Sequence, residues 1–380
     1  MKQTAKDNRI GIMSVVHEGR RPFGMQTYFF EDMVKNAGID EDRLFFFSPL
    51  DWEEGNDEVR GFKLIDSDWI EVKESIPNII YDRAFSKGSD QKESIERFRM
   101  FLETSNHSIL NPFKLADLLN NKVEFHTFLH GHNIATLETY PFSALLDDQF
   151  FETIESSRIY VKPTFGSKGE GIFVIEKEKE SYLLFDNQGN IAPFVSYSNL
   201  IGTLQEMIDV EERYFVQEEA KTELIEKAPF DIRVLVQNYG DEYVVTGKAV
   251  RIGQEYAITS NLNSGGNAMP LEELAEFFKK KYMYSIEELH LDIDKLCLEC
   301  AEVIGSEIGD FCEIGFDVLI TKDRGPIIIE GNAKPSRWVF VKMADYLKSI
   351  GKDNSYYLDR RRETVSVPIK YALYLLDHNN

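Results

Sequence analysis

The chain has 380 residues, enough for two or three domains with full cores, and its 43% hydrophobic and 12% aromatic content is that of a globular protein. A net charge of −22 argues against a nucleic-acid partner, because sequence-independent affinity for a phosphate backbone comes from Lys and Arg. The start MKQTAKDNRI lacks the apolar core of a signal peptide, no run of about 18 apolar residues suggests a membrane span, and three cysteines make no disulfide framework; a cytoplasmic location is expected.

The first pattern, IGIMSVV at 10–16, reads as a buried strand, followed by a loop and a helix around Thr27–Lys35. Apolar runs at Leu44–Phe47 and Ile79–Tyr81, with a helical stretch at Gln91–Thr104, continue the alternation. This predicts an α/β domain with a mostly parallel sheet over residues 1–109. No GxGxxG is present, so a dinucleotide site is not indicated. Arg20, Arg21 and Gly24 either meet an anionic ligand at a strand end or are solvated loop residues.

ILNPFKLADLLNNKVEFHTFLH, 109–130, predicts a short strand, a proline break and two helical pieces, with Lys122 at the start of the second. His126, His130 and His132 lack a carboxylate that would complete a metal set, and the CxxC of Cys297 and Cys300 lacks a second pair; small buried residues are the expectation there. A turn-rich region near Tyr140 and Pro141 leads to a further helix. RIYVKPTFGSKGEGIFVIE, 158–176, is a strand up to Lys162 and Pro163, a glycine-rich loop through Gly166, Ser167, Lys168, Gly169, Glu170 and Gly171, and a second strand. Glycines permit backbone conformations that turn N–H groups toward a phosphate. The strand-to-strand setting excludes a P-loop and leaves a hairpin lid or a plain turn.

YFVQEEA, 214–220, is a strand ending in two acids, and FDIRVLVQNYGDEYVVTGKAVRIG, 230–253, is two strands around a turn. Asp231, Arg233, Leu235 and Gln237 share one face of the first. A charge inside an apolar strand is costly unless paired, so Arg233 requires an anion: Asp231 as a structural partner, or a ligand carboxylate or phosphate. Leu271–Met283 and Ser285–Ile308 are predicted helices, the second opening with a Ser285 to Glu288 capping box. EIGFDVLITKDRGPIIIEGNAKPSR, 313–337, is a hairpin around Asp323–Gly325. Pairing the arms sets Thr321 against Pro326, Leu319 against Ile328 and Asp317 against Glu330, with Asn332 further along the same face. Opposed carboxylates about 5 Å apart repel. The cluster is therefore either a Mg²⁺ site of oxygen ligands or a solvated polar face. The tail is a polar stretch ending in an apolar segment, Val365–Leu376, suited to packing back on the body.

The succession KP, GSKGEG, VQEEA, DIRV, GKAVR, SNLNSGG, GFDV and IEGNAKPS resembles the ATP-grasp superfamily over residues 110–345. It looks closest to the branch of spore-coat-associated proteins of endospore-forming bacteria and is similar to amino-acid and peptide ligases. The resemblance implies an α/β (α+β grasp) architecture, with the N-terminal domain followed by a lobe at 110–218 carrying the glycine-rich lid and a lobe at 219–380 carrying the metal hairpin. It implies ATP and Mg²⁺ as cofactors. Lys122 and Lys162 would hold the nucleotide phosphates under the Gly166–Gly171 loop, Gln217 and Glu218 would lie along the adenine, and Glu219 would reach the ribose. Arg233, Arg251 and Asn261 would meet the transferred phosphate or substrate carboxylate, and Asp317, Glu330 and Asn332 the Mg²⁺. Related ligases follow that Asn with Ser-Pro-Gly, whereas this chain has Ala333, Lys334, Pro335, Ser336 and Arg337; Arg337 would add a cation for the acyl phosphate or substrate. The implied activity is an ADP-forming carboxylate–amine ligase acting on a small-molecule or peptide carboxylate and an amine through an acyl phosphate. The competing reading, suggested by the branch, is a non-catalytic nucleotide-binding coat scaffold. Retention of both opposed acids favours the ligase, because without a cation they are a liability.

Overall fold

The computed structural model describes residues 7–105, 107–166, 170–186, 190–208, 213–255, 257, 260 and 265–378. The first unit runs β1 (Ile10–Met13), α1 (Gln26–Asn36), β2 (Leu44–Phe47), β3 (Glu58–Ile65), β4 (Asp68–Ser75), β5 (Ile79–Asp82), α2 (Ser89–Thr104) and β6 (Ser108–Ile109). Its sheet order is β4-β3-β2-β1-β5-β6. The centre is parallel, β2 to β1 to β5 to β6, and those strands are apolar on both faces because helices cover both. The edge pair β3 and β4 is an antiparallel hairpin that the sequence reading passed over. Its strands are polar on one side, and its two-residue turn, Asp66 and Ser67, has positive φ at both positions without a glycine to announce it.

The second unit opens with α3 (Phe113–Asn120) and α4 (Lys122–Gly131), then β7 (Thr139–Pro141), the short α5 (Phe150–Thr153), β8 (Arg158–Pro163), β9 (Phe173–Lys177), β10 (Tyr182–Phe185), β11 (Ile191–Phe194), α6 (Tyr197–Met207) and β12 (Tyr214–Glu218). The strands form an antiparallel sheet, β11-β10-β9-β8-β12-β7. Ile159, Val161 and Val216 turn one face toward α5 and α6. By the period of two, Arg158, Tyr160, Lys162, Phe215, Gln217 and Glu219 belong to the other face.

The third unit holds β13 (Phe230–Asn238), β14 (Tyr243–Ile252), β15 (Asn267–Met269), α7 (Ala275–Tyr282), α8 (Ile286–Ile308), β16 (Glu313–Thr321), β17 (Gly325–Asn332), α9 (Trp338–Ser349) and α10 (Ser355–His378), with sheet order β15-β14-β13-β16-β17. Ser285 and Glu288 form the expected capping box, and α8 lays Leu289, Ile293, Cys297, Cys300, Ala301 and Ile304 against the sheet at helical spacing. Cys297 and Cys300 are thus core residues, and Cys312 is buried and free as well. Against that core the sheet turns Ile232, Val234, Ile314, Phe316 and Val318; the opposite face carries Asp231, Arg233, Asp317 and Glu313.

The tail is two helices, and α10 crosses back to the first unit, where Ile369, Tyr371 and Ala372 share a core with Phe30 and Met33 of α1. Pro368 lies inside α10 and has no N–H for the carbonyl four residues earlier. That carbonyl, Thr364 O, instead accepts from Gln237 Nε2 at 2.9 Å and Arg337 Nη2 at 3.0 Å, so the break in the helix ties it to the sheet.

The hairpin register departs from expectation near its turn and agrees with it at the acids. Thr321 faces Gly325 and Leu319 faces Ile327, one residue off the expected Pro326 and Ile328. A β-bulge takes up Ile329, and beyond it Asp317 faces Glu330 and Gly315 faces Asn332.

Candidate functional site

Cross-strand pairing builds an arginine–aspartate lattice on the face of the third sheet turned away from α8. β13 sets Asp231 opposite Arg251 of β14, and Arg233 opposite Asp317 of β16. Arg251 grips Asp231 with two of its nitrogens, Nε–Oδ1 and Nη2–Oδ2 each 2.6 Å, and its Nη2 also lies 2.8 Å from Asp317 Oδ2. Arg233 donates to Asp317 through Nε at 2.5 Å and Nη2 at 3.2 Å. The Ser260 hydroxyl donates to Asp231. Arg233 therefore pairs with Asp317 and not with Asp231, its neighbour in sequence, which belongs to Arg251. Gly315 makes room for this: a Cβ there would come within 2.9 Å of Pro335 and 3.5 Å of Arg233 Cδ. Burial opposes ionisation of Asp317, and the Arg233 and Arg251 guanidiniums outweigh it, holding the carboxyl below the usual carboxylate range.

Beside this lattice, two lysines from different elements converge on Glu330. Lys122, the first residue of α4, has Nζ 3.4 Å from Glu330 Oε1. Lys162, on β8, donates to Gln217 Oε1 at 2.7 Å and sits over the Tyr160 ring at 5.2 Å. Burial and the Lys122 cation push the Lys162 ammonium down to about 8, with Glu330 opposing the shift. Gly166 and Gly171, at the two ends of the glycine-rich stretch, have positive φ, the conformation glycine supplies without strain; Ser167, Lys168, Gly169 and Asn261 lie outside the described residues.

The three residues expected along the nucleotide part company. Gln217 is buried, with its amide donating to Thr139 Oγ1 at 3.0 Å and to His126 Nε2 at 2.8 Å. Glu219 shares the site face, within 3.4 Å of the Tyr160 hydroxyl and 3.5 Å of Arg158 Nε, and burial raises its pKa. Glu218 points the other way: its carboxylate accepts from Tyr140 Oη at 2.7 Å and from the backbone N–H groups of Glu155 and Ser156 at 3.2 Å. An adenine contact at Glu218 would therefore run through its backbone.

Arg337, expected to meet phosphate or substrate, is 2% exposed and spent elsewhere. It forms an ion pair with Glu313, which is fully buried, and donates to the Pro335 carbonyl at 2.8 Å and to Thr364 O. Arg83 lies 3.7 Å from the same carboxylate, and Tyr81 donates its hydroxyl to it at 2.5 Å. An unpaired buried Glu313 would be costly, so Arg337 is committed to it. Sequence inspection also passed over Asp82, which receives Lys334 Nζ at 2.8 Å and Arg99 Nη2 at 3.0 Å. That pair spans 252 positions, and no local pattern announces it.

Among the described residues no three His, Cys, Asp or Glu side chains gather as a metal set. The donors expected for a metal are two facing carboxylates, Asp317 and Glu330, and the amide oxygen of Asn332. Glu330 is open, its side chain 39% exposed, whereas Asp317 is 6% exposed and already holds two guanidiniums. Asn332 is exposed and accepts from Lys334 N at 2.9 Å. This donor set fits Mg²⁺, which keeps waters and takes its remaining oxygens from phosphates. Asp317 joins it only if Arg233 transfers its grip to another anion.

A family model described as YheC/D-like ATP-grasp matches residues 112–375. The endospore coat-associated protein YheC of Bacillus subtilis (strain 168) is 21% identical across 98% of this chain and 97% of its own length. Among solved structures, D-cycloserine synthetase DcsG superposes with a TM-score of 0.53 at 11% identity, covering 94% of this chain and 99% of that one. ATP-grasp ligase PsnB, complexed with a phosphomimetic variant of minimal precursor, Mg and ADP, gives 0.52 at 11% identity, covering 94% and 98%. These structural likenesses carry the fold.

Proposed function

The chain belongs to the YheC/D-like ATP-grasp family, and from that premise we propose that it is an ADP-forming carboxylate–amine ligase using Mg·ATP. The observation that carries the proposal is the convergence of Lys122, Lys162, Glu330, Asp317, Arg233 and Arg251 between the second and third sheets. Such a set is suited to gripping polyphosphate and to stabilising charge on a phosphoryl group in transfer. Glu330, Asn332 and Asp317 would hold Mg²⁺, which supplies charge neutralisation between the phosphates.

In this reading a substrate carboxylate oxygen attacks the γ-phosphorus, the bond to the β,γ-bridging oxygen breaks, and ADP leaves. An amine then attacks the acyl carbon, phosphate departs, and the amine gives up its proton as the amide forms. Arg233 would exchange Asp317 for the transferring phosphoryl group, leaving Asp317 to the metal, so one side-chain movement arms both. The lobes at 110–218 and 219–380 would close on the nucleotide, with Lys162, Gln217 and Glu219 on the closing face. A small-molecule or peptide substrate is in keeping with D-cycloserine synthetase DcsG and with PsnB bound to a minimal precursor, which share the fold. The name of the Bacillus relative supports an association with the spore coat, and among the described residues no helix is long and apolar enough to cross a membrane. Incubation with Mg·ATP and pools of amino acids and short peptides tests the reading: ADP release together with a product heavier by condensation is expected, and AMP release would overturn it.

A further inference from the structure

A chain of short hydrogen bonds leaves the phosphate side of the site and ends in the metal hairpin. Lys162 Nζ donates to Gln217 Oε1 at 2.7 Å; Gln217 Nε2 contacts His126 Nε2 at 2.8 Å; His126 Nδ1 contacts Thr136 Oγ1 at 2.7 Å; and Thr136 Oγ1 donates to Ile328 O at 2.7 Å. Ile328 adjoins the bulge that brings Glu330 opposite Asp317.

Donor arithmetic leaves one assignment. An ammonium only donates, so Gln217 must present its oxygen to Lys162 and its N–H groups elsewhere. One N–H goes to Thr139 Oγ1, whose own hydroxyl proton goes to Leu137 O at 3.2 Å; the other goes to His126 Nε2, which must be a bare acceptor. The remaining ring proton then sits on Nδ1 and points at Thr136, whose hydroxyl proton is directed to the Ile328 carbonyl. Gln217 and His126 are each 1% exposed, so water cannot substitute for a missing partner. Burial and the nearby Lys162 push the His126 imidazole down to about 3, which agrees with an uncharged ring.

We propose that His126 is a positioning residue, a fixed Nδ1–H tautomer that couples the Lys162 ammonium of the second sheet, through Gln217, to the Ile328 carbonyl of the metal hairpin. The two phosphate-side lysines then answer to one helix. Lys122 and His126 lie one turn apart on α4; the first reaches Glu330 directly, and the second aims Lys162. Any shift of the second sheet against the hairpin strains the same chain of bonds, so the distance between Lys162 and Glu330 is held by it. The service to nucleotide rests on the ligase reading above; the chain of bonds does not.

The test has two arms that fail separately. In ¹⁵N-histidine-labelled wild-type protein, long-range ¹H–¹⁵N correlation reads the tautomer without nucleotide. Protonated Nδ1 and bare Nε2 on His126, unchanged from pH 8 to pH 5, are expected, and an Nε2–H ring or one titrating near neutrality overturns the proposal. In the second arm, calorimetry with Mg and a non-hydrolysable ATP analogue reads His126→Leu in two backgrounds. It should weaken binding about tenfold beside Lys162 and add nothing beside Lys162→Met. Equal losses in both backgrounds, or no loss in either, would refute coupling through Lys162. Absence of binding by the wild type would strike the ligase reading and leave the tautomer result to decide the relay.

Discussion

Replacing Arg233 with lysine separates a residue that holds the sheet together from one that grips a reacting phosphoryl group. Arg233 gives Asp317 two hydrogen bonds, and Arg251 supplies a third contact at 2.8 Å. A lysine can keep one of the first two, and Arg251 remains, so Asp317 is never left as an unpaired buried charge. The loss is one charge-assisted hydrogen bond, about 1.5–3 kcal/mol, which for a chain of this size lowers Tm by only a few degrees. Turnover should suffer more. A lysine cannot reproduce the planar fork on a phosphoryl group, and loss of one preorganised charge contact costs about 10² in rate. The expected result is a kcat lower by about 10² with Mg·ATP affinity nearly unchanged and Tm lower by no more than a few degrees, read by steady-state ADP release and thermal denaturation. A variant that melts earlier but turns over normally would show that the Arg233–Asp317 pair is purely structural, and the proposed exchange of partners would have to be withdrawn.

Glu330→Gln removes one metal charge from an exposed position, so turnover should vanish at saturating Mg²⁺ while the far-ultraviolet dichroism and Tm persist; retained activity would contradict the metal assignment. Because the Lys162 ammonium is pushed down to about 8, and bound phosphate would raise it again, affinity for Mg·ATP should be full below that pH. It should decline above it, by up to about tenfold per pH unit, and Lys162→Ala should abolish the pH dependence; a wild-type profile flat to pH 10 would contradict it. Glu313→Gln should cost about 3–5 kcal/mol, because it leaves Arg337 and Arg83 buried without their carboxylate. Denaturant unfolding measures that loss, and a change below about 1 kcal/mol would show that the network is not what joins the first unit to the third sheet.

What the sequence made legible followed from periods and turns. The strands at Leu44–Phe47 and Ile79–Asp82, the helix at Ser89–Thr104 and the capped α8 stand where their apolar spacing put them. Asp317 faces Glu330 as the alternation required, yet the intervening pairs are shifted by one, because a bulge at Ile329 compensates for a tighter turn at Gly325. Bulges leave no compositional trace in a run of isoleucines. The period of two also separates Gln217 and Glu219 from Glu218, a distinction that motif matching blurred. Partners distant in sequence were out of reach: Arg233 meets Asp317 84 residues away, and Arg337 meets Glu313 across the hairpin. Position in a motif located these arginines, and only packing says what each of them touches.

The central claim is that a substrate carboxylate is phosphorylated before an amine displaces the phosphate. It is tested most directly by supplying Mg·ATP and pools of amino acids and short peptides labelled with ¹⁸O in their carboxyl groups, then weighing the inorganic phosphate released. One ¹⁸O atom per phosphate, formed together with ADP, is the predicted result, since the attacking carboxylate oxygen leaves with the phosphoryl group. One ¹⁸O atom carried off in AMP with pyrophosphate released, or ADP accompanied only by unlabelled phosphate, would contradict it.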